Sequence, residues 1–349
     1  MAKHKVLFTT QRGLRHQQSA IDSAPPQLEI IMRRDPSRAE MLELLPQVDF
    51  LVSERVGVVD AELIAAGRNL KLIQRLGRQT WDIDLSAAKA AGIPVCAVPV
   101  PGCQLVAEHM LMGVLALTKR LREVNQIAEQ AAADWGKPQE CTEDYFAYNW
   151  SRRDDIGGIF GKTVGILGFG EIGIELARRL RAFDCSVIYN KRRRIPQSAE
   201  AELQIEYAAL KDLQARSDIL LNLLPDFPET RRMLNAEFFA ACKRGVLFVH
   251  AGGGTTYDAE AVAAALRSAQ LGGAALDTFN WEPVRADDPL VLLAKACPEE
   301  QGNAKVNLLL TPHTAAGAQA AIGAEFKRGR DYENLLAALE GKPLAYRVI

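Results

Sequence analysis

Three glycines near the middle of the chain have a spacing that suits phosphate binding. Gly168, Gly170 and Gly173 form the pattern G-x-G-x-x-G after the strand-like run TVGIL and before a segment of helical periodicity. In such a context the first glycine permits a tight turn, the second lets backbone N–H groups approach a pyrophosphate, and the third packs helix on strand. The motif therefore predicts dinucleotide binding, in which Glu171 and Ile172 also lie against the cofactor.

A basic run follows the next strand-like segment, CSVIY, and bears on which dinucleotide is bound. An acidic residue at this place would grip the ribose hydroxyls of NAD, but the chain has Asn190, Lys191, Arg192, Arg193 and Arg194. Several cations there can neutralise a 2′-phosphate, and no carboxylate repels it. We expect NADP in preference to NAD, with Asn190, Lys191, Arg192 and Arg193 at the cofactor and the two arginines on the phosphate. The alternative is a solvated basic run.

Composition and charge disfavour several other classes of function. Lys and Arg total 42 against 43 Asp and Glu, a formal net charge of -1, so no basic field favours nucleic acid or an anionic membrane. No run of about 18 apolar residues occurs, and the segment MAKHKVLFTT has no secretory character, so we expect a cytoplasmic protein. The cysteines are far apart and no pair of histidines has helical spacing, so no metal site is expected. These features favour a small-molecule substrate.

The elements that must position these groups alternate strand-like apolar runs with helical patterns. The strand-like runs are KVLFTT, VDFLVS, LKLIQRLG, TVGILGF, CSVIYN, DILLNLL, GVLFVH, GGAALD and NLLLTP. This rhythm predicts an α/β fold of two doubly wound parallel-sheet lobes, Rossmann- or flavodoxin-like, with a cleft between them.

One long helical pattern and two irregular segments interrupt this rhythm. Residues 104–130 keep apolar residues at helical spacing for about seven turns. We expect a single helix in the core of the second lobe, and the rival interpretation is a face that pairs with another subunit in a homodimer. Segments 135–158 and 285–305 mix Pro, Gly, aromatic and charged residues without a period. They indicate inserted surface loops or, alternatively, a lid over the cleft.

Several segments, in order along the chain, resemble the D-2-hydroxyacid dehydrogenase family, which includes glyoxylate and hydroxypyruvate reductases and phosphoglycerate dehydrogenases. The matching segments are AAKAAGIPVCAVP, LVAEHMLMGVLAL, GKTVGILGFGEIG, LLPDFPETRRMLN, GGAALDTFNWEP and LLLTPHTAAG. The resemblance implies a discontinuous substrate domain of residues 1–103 plus 313–349 and an NAD(P)-binding Rossmann domain of residues 104–312. VIYNKRRR is similar to the NADP-using glyoxylate and hydroxypyruvate reductases of the family. The implied activity is hydride transfer between nicotinamide and the carbonyl or hydroxyl carbon of a 2-hydroxy acid or related substrate.

The resemblance also implies which residues catalyse the reaction. In the family a histidine exchanges the hydroxyl proton and a glutamate holds its imidazole, and these correspond to His313 in TPHTAAG and Glu282 in WEP. Carbonyl reduction builds negative charge on oxygen, so an acid with a pKa near neutral accelerates it. A neighbouring carboxylate fixes the imidazole tautomer. Further cofactor contacts implied by the resemblance are Pro225, Ala251, Gly252 and Asp277, the last near the nicotinamide carboxamide.

The run FVHAGGGTT departs from the family pattern. Relatives have an N-T-A-R-G-like run, so Gly253 stands where an arginine would anchor the substrate, and His250 stands where a small polar residue is common. We interpret the run as a site opened by loss of its cation rather than as a phosphate cradle, and we expect an ordinary 2-keto acid to be a poor substrate. Arg78, with Gln79, is the candidate to replace the missing catalytic arginine and to recognise a non-standard substrate for which Gly253 makes room. The alternative is that Arg78 is a surface charge.

Two other classes of function are compatible with these motifs. One is a dinucleotide-sensing protein without turnover, and the other is a redox-neutral enzyme with a tightly held nucleotide. The presence of both His313 and Glu282 favours the dehydrogenase.

Overall fold

The structure of the protein, a computed structural model, describes residues 3–54, 57–131, 135–296, 306–317 and 328–349. The chain divides into two compact units, Met1–Cys103 with Ala318–Ile349 and Gln104–Gly317. Residues 313–317 lie in the second unit, whereas the sequence interpretation put residues from 313 onward in the substrate domain. The assignment of substrate to one unit and nucleotide to the other stays a prediction.

The first unit is built on a parallel sheet with helices between the strands. Its described strands are β1 (His4–Thr10), β2 (Leu28–Arg34), β3 (Phe50–Glu54), β4 (Leu72–Leu76) and β5 (Val95–Val98). Its described helices are α1 (Leu14–Asp22), α2 (Arg38–Leu44), α3 (Ala61–Ala66), α4 (Leu85–Ala90) and α13 (Glu333–Leu339). The strand order β2-β1-β3-β4-β5 is the doubly wound arrangement that the sequence predicts.

Both faces of this first sheet are buried. Val6 and Phe8 of β1 pack in one apolar cluster with Tyr332 and Leu335, while Leu7 packs in the cluster on the other face. A parallel sheet covered on both faces gives strands that are continuous apolar runs, which is why β1, β3 and β4 are visible in the sequence. The strands β2 and β5 were not predicted, because charged residues interrupt the apolar run of LEIIMRR and VCAV is only 4 residues long.

The second unit contains the larger sheet. Its described strands are β6 (Thr163–Leu167), β7 (Ser186–Asn190), β8 (Glu206–Tyr207), β9 (Ile219–Asn222), β10 (Val246–His250), β11 (Leu271–Leu276) and β12 (Leu308–Leu310). The described helices along it are α5 (Pro101–Thr118), α6 (Leu121–Gln130), α7 (Glu171–Leu180), α8 (Gln197–Leu203), α9 (Leu210–Arg216), α10 (Ala236–Ala240), α11 (Ala259–Arg267) and α12 (Pro289–Lys295). The order β12-β11-β10-β9-β6-β7-β8 places β6 among its inner strands. All these pairings are parallel, which confirms the predicted α/β class.

The prediction of one helix over residues 104–130 is wrong. The chain forms α5 and α6 with a break at Arg120, whose backbone is left-handed at φ 46° and ψ 44°. The Arg120 guanidinium lies 2.7 Å from Glu123 and 2.9 Å from Asp155, so ion pairs stabilise the break. α5 packs on the sheet through Gly113, where an added Cβ would lie 3.2 Å from the Cβ of Ala275. α6 has no buried residue.

The two irregular segments differ in structure. Residues 135–158 form neither an α-helix nor a β-strand, as predicted, and Arg153 attaches this segment to α6 through Glu123 at 2.7 Å. The loop predicted for 285–305 contains α12, whose N-cap Asp288 accepts a hydrogen bond from the N–H of Leu290 at 2.9 Å. The prediction overlooked this helix because it is short; residues 297–305 lie outside the described ranges.

The described residues contain neither a membrane-spanning helix nor a cluster of metal-binding side chains. Within them, no helix has the length and apolar character needed to cross a membrane. The same residues contain no group of three or more His, Cys, Asp or Glu arranged to hold a metal ion.

Candidate active site

The glycine motif forms the connection from β6 to α7. Gly168 has φ +83°, and a Cβ there would lie 2.8 Å from the carbonyl of Leu223, so glycine is required twice over. A Cβ on Gly170 would meet nothing within 4 Å, which leaves the space beside it open. A Cβ on Gly173 would lie 2.8 Å from the Phe169 ring, so this glycine makes room for an aromatic side chain rather than for the strand expected from the motif.

The N-terminus of α7 fits a pyrophosphate. The N-cap is Gly170, and no side chain caps the helix. The positive end of the helix dipole at this glycine therefore suits an anionic phosphate group. The loop lies where the strand order changes direction between β6 and β9, the position at which open α/β sheets bind ligands. The Glu171 side chain is buried, so its expected contact is through the main chain.

The basic residues after β7 are not equivalent. The Asn190 side chain donates a hydrogen bond to the carbonyl of Ala208, directly after β8, at 2.8 Å. The Arg192 guanidinium lies over the ring of Phe227, 5.5 Å from its centroid. Arg194 donates two hydrogen bonds to Glu200, at 2.8 and 2.7 Å, and is thereby tied to α8, although its side chain is 50% exposed. Of the other residues predicted at the cofactor, Lys191 and Ala251 are half-buried and Arg193 and Pro225 are exposed.

His313 and Glu282 lie together, although 31 residues separate them. Nδ1 of His313 is 2.6 Å from Oε2 of Glu282. The other carboxylate oxygen accepts the N–H of Phe279 at 2.9 Å, which fixes the orientation of Glu282. The side chains of His313 and Glu282 are 55% and 34% exposed, so the pair can be reached from outside. Among the described residues, no hydrogen-bond partner lies at Nε2 of this imidazole, which leaves that nitrogen for a reacting group.

Asp277 organises the loop that carries His313. Its carboxylate is 1% exposed and accepts the hydroxyl of Thr311 at 2.6 Å. It also accepts the N–H groups of Thr314 and Ala315, each at 2.9 Å. The carboxylate thus holds residues that precede and follow His313 in the chain. The expected contact of Asp277 with the nicotinamide carboxamide stays a prediction.

His109 is a part of this network that the sequence analysis did not single out. Nε2 of His109, on α5, lies 3.1 Å from the hydroxyl of Thr311 and 3.5 Å from Oδ1 of Asp277. The signal available in the sequence was a histidine inside the apolar helical segment LVAEHMLMG. Such a histidine is usually a partnered core residue, so the segment alone did not identify it.

The glycine turn after β10 is pressed between two other loops. An added Cβ would lie 2.7 Å from the Leu224 carbonyl oxygen at Gly252, and 2.8 Å from the backbone nitrogen of Asp226 at Gly253. At Gly254 it would lie 1.9 Å from the carbonyl oxygen of Phe279. The expectation that Gly253 leaves room for substrate is therefore wrong, because Asp226 fills the space of its missing side chain.

His250 fixes this turn from beneath. It is 1% exposed, and burial lowers its pKa to about 3, so the imidazole is neutral at ordinary pH. Nδ1 lies 2.9 Å from the Asn222 amide and Nε2 lies 2.9 Å from the Thr278 hydroxyl, which donates to the Gly252 carbonyl at 2.8 Å. A neutral imidazole with its proton on Nε2 satisfies every one of these bonds.

The Asn222 amide extends the network to the next carbonyl of the turn. It donates to the Thr256 hydroxyl at 2.9 Å, which donates to the Gly253 carbonyl at 2.7 Å. Two successive carbonyls of the turn are thus held by side chains, through Thr278 and Thr256. The turn is a fixed part of the carboxyl edge of the sheet.

Arg78 and Gln79 lie in the first unit, directly after β4. Arg78 is exposed. Gln79 donates to Asp82 at 3.3 Å, and Asp82 also accepts the buried Arg75 at 2.8 Å. Gln79 therefore supports an internal ion pair, and the proposed substrate contacts of Arg78 and Gln79 stay predictions.

Comparisons with known proteins bear on the second unit and on most of the chain. The family model described as D-isomer specific 2-hydroxyacid dehydrogenase, NAD binding domain, matches residues 111–315. D-3-phosphoglycerate dehydrogenase of Mycobacterium leprae (strain TN) is 34% identical over 93% of this chain, but the match spans only 56% of that protein. The chain therefore spans about half the length of the phosphoglycerate dehydrogenases that it matches.

A second relative is similar in length. Hydroxypyruvate reductase of Thermotoga maritima (strain ATCC 43589 / DSM 3109 / JCM 10099 / NBRC 100826 / MSB8) is 31% identical over 82% of this chain and 85% of its own. Among solved structures, the PH0520 protein from Pyrococcus horikoshii OT3 matches with a TM-score of 0.55 and 27% identity, covering 99% of this chain and 95% of that one. The glycine loop, the His313–Glu282 pair and these matches agree: the chain belongs to the D-isomer-specific 2-hydroxyacid dehydrogenase family.

Proposed function

We propose that the chain is an NADP-dependent oxidoreductase that acts on the carbonyl or hydroxyl carbon of a non-standard 2-oxo or 2-hydroxy acid, or a related compound. The observation that carries the proposal is the 2.6 Å contact between His313 and Glu282 in a member of this family. An imidazole oriented by a carboxylate and open on its far nitrogen is suited to move a proton to or from a substrate oxygen.

The residues around the glycine loop fit a dinucleotide. The open space at Gly170 and the uncapped start of α7 would receive the pyrophosphate, and Arg192 and Arg193 would hold a 2′-phosphate. When bound, the nicotinamide supplies or accepts hydride. The absence of a carboxylate at the end of β7 supports NADP over NAD.

His313 performs the proton step. In reduction its Nε2–H donates to the carbonyl oxygen as negative charge develops there, and in oxidation Nε2 accepts the hydroxyl proton. Glu282 stabilises the charged imidazole and keeps Nδ1 as the protonated nitrogen. Asp277 contributes by holding the residues on both sides of His313.

Substrate selectivity follows from the turn at Gly253. Glycine supplies no cation at this position. The space that a side chain at position 253 would need is filled by Asp226, which carries a carboxyl group. A 2-oxo acid carboxylate would meet like charge here, which supports a non-standard substrate or recognition by Arg78. Relatives named for hydroxypyruvate and for D-3-phosphoglycerate support a small hydroxy- or oxo-acid as the class. Arg78→Ala is expected to lower kcat/KM on the true substrate, and an unchanged value would exclude this role.

The decisive experiment is NADPH consumption by the purified protein with a panel of 2-oxo acids, aldehydes and ketones. His313→Asn should lower kcat by about 10² to 10⁴-fold. The control is His4→Asn, since His4 is also paired with a carboxylate, Asp49 at 3.3 Å, on the surface of the other unit. No turnover with any carbonyl, despite tight NADPH binding, would instead favour a nucleotide-sensing protein, and equal affinity for NADH and NADPH would remove the cofactor preference.

We further infer a homodimer formed through α6. The helix carries Leu121, Val124 and Ile127 at helical spacing, and none of its residues is buried in the chain itself. The molar mass from light scattering should be twice that of the chain. A monomeric mass would exclude this assembly.

A further inference from the structure

The basic loop after β7 is fastened at its C-terminal end by a buried carboxylate. Glu200, on α8, is 7% exposed and accepts two hydrogen bonds from Arg194, at 2.8 and 2.7 Å. The same guanidinium lies over the ring of Tyr207, 5.5 Å from its centroid. Bidentate bonds and ring stacking hold Arg194 in one position. Arg194 is therefore a structural anchor of the loop and not a group aimed at a ligand.

Glu200 has a second partner, which ties the anchor to the glycine motif. The Tyr189 hydroxyl donates to Glu200 at 2.7 Å and accepts the N–H of Ile195 at 3.1 Å. The Tyr189 ring is fully buried and lies 4.6 Å from that of Phe169, which stands between the first two motif glycines. The Arg194 guanidinium holds the pKa of Glu200 below its usual value, so the carboxylate stays charged. The anchor and the pyrophosphate loop form one packed assembly.

The other end of the basic loop is held from a different strand. Arg192 lies over Phe227, which belongs to the connection after β9. The loops after β7 and β9 flank the glycine loop after β6. Arg192 is thus held between fixed points on both sides of the nucleotide crevice. Both Arg192 and Arg193, which is next to the anchored Arg194, are exposed.

We propose that Glu200 is a positioning residue for recognition of the NADP 2′-phosphate: it sequesters Arg194 and thereby fixes Arg192 and Arg193 in the orientation that grips the phosphate. The inference rests on the proposed preference for NADP. It assigns different tasks to adjacent arginines, and none of these tasks is visible in the run KRRR itself. Glu200 acts only through the loop and touches neither substrate nor cofactor.

Two effects of removing the Glu200 charge oppose each other. Releasing Arg194 adds a cation near the phosphate, but an exposed charge without fixed geometry contributes little in water. Losing the anchor frees the backbone that positions Arg192 and Arg193, whose charge-assisted bonds depend on orientation. The second effect is the larger, so NADPH binding should weaken rather than strengthen.

The test is Glu200→Gln, with dissociation constants for NADPH and NADH measured by titration of the purified protein. We expect NADPH to bind about tenfold more weakly or worse, with NADH affected less than twofold. The control is Glu175→Gln, which removes another buried carboxylate paired with an arginine, Arg179 at 2.7 Å, on α7. The control should leave the ratio of the two constants unchanged. A purely structural role would alter both constants together.

Other outcomes decide between the inference and the function it rests on. If the wild-type protein prefers NADPH and Glu200→Gln keeps or increases that preference, the anchor idea is wrong while the proposed function stands. If the wild-type protein binds NADH as tightly as NADPH, the proposed preference for NADP and the inference that rests on it are both wrong. If Glu200→Gln fails to fold, Arg194→Lys is the second variant, because lysine keeps the positive charge but cannot form both hydrogen bonds to Glu200. A reduced preference for NADPH is again expected. An unchanged preference overturns the inference.

Discussion

Replacing Asp277 by Asn tests whether the loop that carries His313 depends on one buried carboxylate. The carboxylate accepts the Thr311 hydroxyl and the Thr314 N–H on one oxygen, and the Ala315 N–H on the other. An amide keeps one acceptor oxygen and turns an NH2 group toward a donor. One charge-assisted bond, worth about 1.5 to 3 kcal/mol, is lost, and a buried N–H stays unpaired at a similar cost. We take about 3 kcal/mol as the expected loss of unfolding free energy.

The assay separates stability from catalysis. A unit of this size loses about 2 to 4 °C of Tm per kcal/mol, so the Asp277→Asn protein should melt about 6 to 12 °C lower. At a temperature where it is folded, kcat should fall about 10 to 100-fold, because His313 is no longer held in place. If Asp277 acts through the loop alone, the dissociation constant for NADPH should stay within twofold of the wild-type value.

A matched control removes a carboxylate that has only a structural task. Asp258 caps α11 by accepting the N–H groups of Glu260 and Ala261, at 3.1 and 3.4 Å. Asp258→Asn should lower Tm with little change in kcat. A fall in Tm of less than about 2 °C for Asp277→Asn, together with unchanged kcat, would refute the account of this loop.

Three further predictions concern His250, Glu282 and the pair of glycines Gly253 and Gly170. Burial lowers the pKa of His250 from 6.5 to about 3, so below pH 6.5 the unfolded chain binds a proton that the folded protein does not bind. The free energy of unfolding should therefore fall by about 2 kcal/mol between pH 7 and pH 5. Urea titrations should show this fall for the wild-type protein and not for His250→Asn. Glu282→Gln should lower kcat about 10²-fold without changing NADPH affinity, and equal kcat would remove Glu282 from the mechanism. Gly253→Ala should destabilise the protein by about 1 to 3 kcal/mol, because the added methyl group overlaps with Asp226. Gly170→Ala should keep the wild-type Tm but bind NADPH more weakly. A lower Tm for Gly170→Ala and an unchanged Tm for Gly253→Ala would contradict the packing described for these glycines.

The sequence predicted the parts of the site whose signals are local. The first two motif glycines needed only a strand before and a helix after to be interpreted, and the structure gives them the expected backbone freedom and open space. His313 and Glu282 were predicted to pair from family segments, and the two side chains are in contact. Continuous apolar runs located β6, β7, β9 and β10, because buried parallel strands are apolar on both faces.

Features that depend on distant parts of the chain were not predictable. The break at Arg120 depends on Asp155, which no helical periodicity records. The packing of Gly253 depends on Asp226, which lies on another loop and whose backbone position follows from the register of β9 against β10. The run KRRR likewise does not show that Arg194 is engaged by Glu200. Tertiary context decided each of these cases.

The fixed glycine turn limits where substrate recognition can arise. His250 and Asn222 hold its carbonyls through Thr278 and Thr256, so the turn cannot open to admit a side chain or a bulky ligand without breaking buried hydrogen bonds. Asp226 beside the turn disfavours a substrate carboxylate at that position. Under the proposed function, the cation that binds a substrate carboxylate is therefore expected outside this turn. Arg78, which is exposed, is the residue proposed for this task, and the kcat/KM of Arg78→Ala tests the proposal.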